Sequence, residues 1–365
     1  YTLRLLTLQQ FQRASTLICS MERIRFKNKD KLGDKKISIG LWVGNSLTSK
    51  NSKDDFKRAN DAKHTNINPF IVKYCPYCST SIDIKNGRWQ GLETVKKKGI
   101  NIKCPDSSCH FNESLPIYFT DESVYKEQPD LVLGTVDKFA LLPFYDDARK
   151  IFNKNDNLLI PPRLIIQDEL HLINHALGTT VALFESIILE LSKNKSFGSP
   201  KIIASTATIK GAGDQCKNLY LAEKGSIVFP PFGINLDDNY FSKIDTNSTG
   251  RKYLGIFNQG ESQRSTTFIN TIKSLLEKSG EIKDDNYWTI LAYFNSLREK
   301  ASAYHYVVSD VKDKINVKLR DFDIQNIAEL DSRAESKDIE DILQRMEKSK
   351  IGEAQCIDVC LSSNM

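Results

Sequence analysis

Short runs rich in Ile, Val and Leu recur along this chain, each bounded by turn residues and separated by longer stretches with apolar positions three and four apart. That alternation constrains the fold more than any other feature. Brief buried strands joined by amphipathic helices indicate an α/β protein, a parallel sheet covered by helices. The runs are TLRLLT (2–7), ISIGLWVG (37–44), DLVLGT (130–135), RLIIQDE (163–169), KIIAST (201–206), TILAYF (289–294) and CIDVCLSS (356–363). Helical spacing covers Leu8–Phe26, Gly178–Ser192, Thr266–Lys278 and Ser336–Lys348.

Two stretches break the rhythm. Residues 45–125 begin with a polar, Lys- and Ser-rich segment and hold four spaced cysteines, which reads as an insertion. The Pro-, Gly- and Asn-rich region around 225–260 lacks periodicity and reads as a connector between two sheets. At about 100–200 residues per domain, 365 residues suit two or three domains. The expected organisation is a first domain over 1–44 and 126–235, the insertion at 45–125, a connector at 236–260 and an incomplete second domain at 261–365. The start at Tyr1 and the stop just after a strand-like run read as an excised piece of a longer parent.

Apolar residues at 40% and charged residues at 27% are ordinary for a folded globular protein. No apolar run approaches the ~18–20 residues that span a bilayer, which argues against a membrane role. The balance of 51 basic against 46 acidic residues, a net of +5, permits a polyanionic partner without demanding one. Cysteine usage points to metal rather than disulfides in a reducing compartment, hence a cytoplasmic protein.

Three constellations carry chemistry. RLIIQDELH ends an apolar strand in Asp168 and Glu169, followed by His171. Ligands bind at such strand ends in open parallel sheets. One carboxylate on Mg²⁺ of a nucleotide and the next on an attacking water is what nucleotide hydrolysis needs, although an isolated Asp-Glu pair is more often a solvated strand end. KIIASTATIKG is a second buried strand breaking into Ser205, Thr206 and Thr208. Finally, Cys75-x2-Cys78 and Cys104-x4-Cys109 supply four thiolates at the spacing of a zinc ribbon, with His110 as a substitute ligand. Zinc is expected to staple an insertion too poor in apolar residues to hold itself, so that its removal would loosen 45–125 alone. Direct nucleic-acid contact through Lys96, Lys97, Lys98 and Lys103 is the lesser alternative. Cys19, Cys216, Cys356 and Cys360 read as buried apolar residues, His64, His175 and His305 as structural or surface positions. Tyr287, Trp288, Tyr293 and Phe294 read as core along a strand.

A DExH-type strand end followed by a Ser/Thr-Ala-Thr strand end resembles motifs II and III of superfamily 2 helicases. Further segments fall in that family's order. YTLRLLTLQQFQR resembles motif Ia, with Arg4 and Thr7 on the DNA backbone, and DLVLGTVDKF resembles motif Ib, with Thr135 and Lys138 on phosphates. TILAYFNSLREK resembles motif IV, with Asn295, Ser296 and Arg298, and IDVCLSSNM the start of motif V. Together TLRLLTLQQFQRA, GTVDKFA, QDELHLI, ASTATI, FPPFG and YFNSLRE resemble the DrmA helicases of DISARM anti-phage defence systems. The resemblance implies two RecA-like domains, ATP and Mg²⁺ as cofactors beside Zn²⁺, DNA as substrate, and other defence proteins as partners. It also implies a phosphate loop G-x-x-x-x-G-K-[ST] and an arginine-bearing motif VI, neither of which occurs in this sequence. The family places them upstream of Tyr1 and downstream of Met365, so the 365 residues alone are expected not to hydrolyse ATP. The alternatives are a zinc-stabilised nucleic-acid-binding scaffold without turnover and, behind it, a metal hydrolase using Asp168, Glu169 and His171.

Overall fold

The computed structural model describes residues 4–44, 48–95, 99–152, 160–173, 175–207, 210–221, 225–231, 233–234, 239–248, 250–258, 263–331, 334, 336–348, 351–353 and 355–363. They form two compact units, Tyr1–Ile244 and Asp245–Met365.

The first unit opens on a helix. Of TLRLLT, expected as a strand, residues 4–7 are instead the start of α1 (Arg4–Lys27), and Thr2 and Leu3 lie outside the described residues. Leu, Arg and Gln are strong helix formers and only Thr2 and Thr7 are β-branched there, so extending the following helix wins over a short strand. The buried stripe of α1 is Phe11, Ser15, Ile18, Cys19, Glu22 and Arg25, a spacing of three and four. Glu22 and Arg25 enter as a pair, 2.7 Å apart. A one-turn helix α2 (Lys29–Leu32) leads to β1 (Ile39–Trp42), buried at every position.

Helix α3 (Ser52–Thr65) is capped by Asn51, whose side chain accepts from the amides of Lys53 and Asp54. Two hairpins follow, β2 (Asp83–Lys85) with β3 (Arg88–Gln90), and β4 (Leu92–Val95) with β5 (Gly99–Ile102). Then come β6 (Ile117–Tyr118), α4 (Asp121–Glu127) and β7 (Leu131–Gly134). Strands β6, β1 and β7 form a parallel sheet in that order. β6 lies inside the stretch expected as an insertion, so the excursion has returned to the main sheet by Ile117 rather than after residue 125.

Short helices α5 (Val136–Phe139) and α6 (Asp146–Arg149) precede a second parallel pair. Here β8 (Leu164–Gln167) is followed by α7 (His175–Ser192), and β9 (Lys201–Ala204) by α8 (Ala212–Tyr220). Ile165, Ile202 and Ala204 face packed side chains. On the opposite face Leu164, Ile166 and Ile203 are 50%, 63% and 45% exposed, against the expectation of strands buried on both faces.

The second unit comprises α9 (Arg264–Ile282), β10 (Ile290–Phe294), α10 (Leu297–Tyr306), α11 (Lys312–Lys314), β11 (Ile327–Leu330), α12 (Ser336–Lys348) and β12 (Val359–Ser363). Its sheet is parallel, ordered β10-β12-β11. The central β12 is buried throughout, with Val359 and Leu361 in the core of α9 and Cys360 in that of α12. Arg320 is sealed inside, 2.5 Å from Asp358 Oδ1 and 3.7 Å above the Trp288 ring. Gly280 permits this, because a Cβ there would collide with the carbonyl oxygen of Leu319. Phe294 packs into this core, but Tyr287 and Tyr293 are 70% and 73% exposed, so the aromatic row expected to be core is divided between core and solvent.

Candidate active site and metal centre

The four cysteines converge from two tight turns. In the first, the Cys75 amide donates to the Thr80 carbonyl and Ser79, at φ +62°, donates back to Cys75. In the second, the Cys104 amide donates to Phe111 and that of Cys109 to Asp106. The four Sγ atoms lie within 4.8 Å of one another, with Cys75 to Cys109 at 3.9 Å and Cys78 to Cys104 at 3.4 Å. A tetrahedral Zn²⁺ with Zn–S bonds of ~2.3 Å sets its sulfurs ~3.8 Å apart, so the donor set and its size fit zinc. Burial pushes the Cys75 and Cys104 thiols up, Cys75 to about 12. Burial also acts on Cys78, but hydrogen bonding with Thr80 and Cys104 outweighs it and brings that thiol down to about 7. A cation among them would offset the cost of buried thiolates. All eight cysteines are free thiols.

His110 is not the substitute ligand. Its Nδ1 lies 3.2 Å from Arg23 Nη1, and its ring sits 4.4 Å from that of Phe26. Nor is the excursion poor in core. Cys75, Cys104 and Cys109 share one hydrophobic cluster with Phe70, Ile82, Leu92, Phe111, β1 and the α1 residues Phe11, Ile18 and Cys19. The expected separateness of the metal module therefore fails, because its own apolar residues are continuous in one core with those of α1 and β1. Lys103 pairs with Glu93, and Lys96, Lys97 and Lys98 lie outside the described residues.

The acid pair stands where β8 ends beside β9. Strand register sets Gln167 opposite Ala204. Beyond it the Ser205 amide donates to Gln167 and the Leu170 amide to Ser205, at 2.8 and 2.9 Å. Gln215 of α8 donates to the carbonyls of Leu170 and Ile173 at 3.2 and 2.6 Å, bracing the turn that follows the acids. Asp168, Glu169 and His171 are all half-buried. Glu169 adopts φ +54° and ψ +43°, a left-handed conformation that costs a side chain with a Cβ about 1 kcal/mol or more. His171 Nδ1 lies 3.3 Å from Glu169 Oε2 and 3.4 Å from the Ala207 amide. With Nδ1 unprotonated the ring accepts from Ala207; with Nδ1 protonated it pairs with Glu169.

Asp168 is held by a residue that sequence reasoning passed over. Gln10 of α1 donates to its Oδ2 at 2.6 Å, and the Glu169 amide donates to its Oδ1 at 3.0 Å. Each oxygen keeps a lone pair, and two adjacent carboxylates are a hard donor set of the kind Mg²⁺ takes. Nothing local marks Gln10, which is separated from its partner by 158 positions.

The remaining expected site residues do not gather here. Ser205 and Thr206 are exposed at the β9 end, with Thr206 Oγ1 donating to the Ala207 carbonyl at 2.8 Å; Thr208 lies outside the described residues. Arg4 and Thr7 stand in the first turns of α1, their side chains outside the described set. Thr135 caps α5 without a side-chain bond. Lys138, expected on phosphate, is only 5% exposed and bonded to Asp121 at 2.6 Å, so its charge is spent inside the protein. In the second unit Ser296 caps α10 by accepting from the Glu299 amide, the Asn295 amide donates to Glu299 Oε2, and Arg298 is exposed.

The parallel sheets, the acid pair at adjoining strand ends and the separate four-cysteine cluster define the class, an α/β protein with a cysteine cluster like that of a zinc ribbon. Along its whole length the chain is related to the DISARM protein DrmA of Bacillus paralicheniformis, with 32% identity over 423 residues of alignment. It spans 37% of that relative. Among solved structures, the DUF1998 helicase MrfA bound to DNA matches over 90% of this chain and 34% of its own, at TM-score 0.44 and 15% identity. No protein-family model matches. Among the described residues, no helix is long and apolar enough to cross a membrane.

Proposed function

We propose that this chain is the central part of an ATP-dependent DNA helicase or translocase of superfamily 2, cytoplasmic and acting with other components of a DISARM-type anti-phage defence. Its two units correspond to RecA-like domains, the first built on 1–44 and the chain from Ile117 to about 235 and the second over 261–365. The observation that carries the reading is the joint strand end of β8 and β9, where Asp168, Glu169 and His171 meet Ser205 and the Ala207 amide. Phosphoryl transfer to water asks little covalent chemistry of a protein, so positioning and charge carry the catalysis.

In this reading Asp168 holds the Mg²⁺ of the nucleotide and Glu169 orients the attacking water. His171 exchanges Glu169 for the Ala207 amide as charge at the acid pair changes, passing the state of the site to the β9 end. Arg4, Thr7, Thr135, Asn295, Ser296 and Arg298 are assigned to the nucleic acid, and Cys75, Cys78, Cys104 and Cys109 to a structural Zn²⁺. The relation to DrmA supports the defence setting.

The test is nucleotide hydrolysis by the full-length protein with and without single- and double-stranded DNA. Glu169→Gln should lower turnover by about 10²-fold or more while leaving nucleotide binding intact. Unchanged turnover in that variant would remove Glu169 from the reaction, whereas no hydrolysis by the parent with or without DNA would favour a zinc-stabilised scaffold that binds nucleic acid without turnover.

A further inference from the structure

We infer that Gln10 is the positioning residue of the acid pair, fixing which oxygen of Asp168 is turned toward a divalent cation; the inference rests on the reading of Asp168 as the Mg²⁺ ligand. The contact is short, at 2.6 Å, half-buried and made across 158 positions. An incidental surface amide has freedom to rotate away. Gln10 has less, because the neighbouring Phe11 is 1% exposed in the core and sets the rotation of α1.

The helix is also held at its other end. Cys19 is fully buried in the cluster that contains the metal-ligating cysteines. Arg23 and Phe26 both meet His110, the residue after Cys109. From Gln10 to Arg23 a helix rises ~20 Å, so α1 is a rigid strut between the thiolate knuckle and Asp168. An amide presented from such a strut is preorganised. It occupies Oδ2 from one side while the Glu169 amide occupies Oδ1, which leaves one orientation of the carboxylate for a cation. Partners of this kind behind a metal ligand typically matter by about 10–100-fold in affinity.

The experiment uses full-length protein in a Glu169→Gln background, so that binding is read without turnover. A fluorescent ATP analogue is titrated with Mg²⁺, and the Mg²⁺ concentration for half-maximal binding is compared among variants. Gln10→Leu removes the donor, and Gln10→Asn withdraws it by one methylene. Both are expected to raise the half-saturating Mg²⁺ about ten-fold. Binding of the analogue without Mg²⁺ and hydrogen-exchange protection of α1 should stay unchanged, which a merely structural role would not spare. Gln10→Asn serves where Gln10→Leu fails to fold. If Asp168→Asn abolishes the Mg²⁺ dependence but both Gln10 variants match the parent, this inference alone is overturned. If Asp168→Asn leaves the dependence unchanged, the reading of Asp168 is wrong and the role of Gln10 falls with it.

Discussion

The cysteine knuckle and the β8–β9 strand ends lie in the same unit and are built on opposite principles. At the knuckle, three of four cysteines are buried, backbone bonds close both turns, and those three share a core with aromatic and aliphatic side chains. At the strand ends, the acids and His171 are half-exposed, the backbone of Glu169 is strained, and the strands behind them form a two-stranded ribbon with one apolar face open. A site closed by packing contributes stability and resists exchange. A site held open and strained stores free energy and leaves room for reacting groups. The contrast separates what holds this unit together from the place where its activity is proposed.

Breaking the knuckle should give the largest effect. Structural zinc contributes an apparent ~10–16 kcal/mol in small metal-dependent domains. Because α1 and β1 share the knuckle's core, Cys104→Ser or chelation should expose α1 together with residues 52–118, while the second unit keeps its own core and its Arg320–Asp358 pair. Limited proteolysis reads this directly. New cuts in both α1 and the excursion support a common core; cuts confined to 45–125 restore the picture of a separate insertion.

Behind the strand ends, Glu185 of α7 sharpens the comparison by pH. It is 4% exposed, its Oε2 has no hydrogen-bond partner among the described residues, and the nearby Tyr220 hydroxyl of α8 is likewise unpartnered there. Burial raises its carboxyl from 4.5 to about 7. Between those values the folded protein keeps a proton that the unfolded chain has released, so stability falls as pH rises from about 4.5 through 7. The shift corresponds to about 3 kcal/mol. Glu185→Gln keeps the neutral form at every pH, so its thermal midpoint should decline less over that window than the parent's, the remaining decline including that of Asp55, which burial raises to about 6. A Glu185→Gln midpoint that declines between pH 5 and pH 8 as steeply as the parent's refutes a buried neutral Glu185.

Much of this was legible because it is periodic or tightly spaced. β1, β7, β8, β9, β10 and β12 appear as short apolar runs, their helices as three-and-four repeats, and the four-cysteine cluster as two paired cysteines. What escaped the sequence depends on long-range packing. Lys138 shows its phosphate-like context in GTVDKF but not the Asp121 carboxylate that claims it. Leu164 and Ile203 alternate like any strand residues, and only the tertiary structure shows which face lacks a cover. TLRLLT is apolar enough for either element, and the helix C-terminal to it decided the outcome. Gln10 carries no mark at all, since one glutamine among several along α1 becomes special only through an acid 158 residues away.

The smallest effect tests the strain itself. Glu169 sits at φ +54° and ψ +43°, where Asn is tolerated better than Glu because its short side chain bonds locally. Glu169→Asn should therefore stabilise the first unit by about 1 kcal/mol, a rise of ~2–4 °C in its thermal midpoint. Glu169→Gln keeps the β- and γ-carbons and hence the strain, and loses only a half-exposed contact with His171 worth little in water. Its midpoint should match the parent's. Both variants remove the group assigned to the water, so both should lose turnover, and the two separate stability from function at one position. Equal midpoints for Glu169→Asn and Glu169→Gln would show that Glu169 relaxes out of the left-handed region in the free protein, in which case the open site stores no strain and differs from the knuckle in exposure alone.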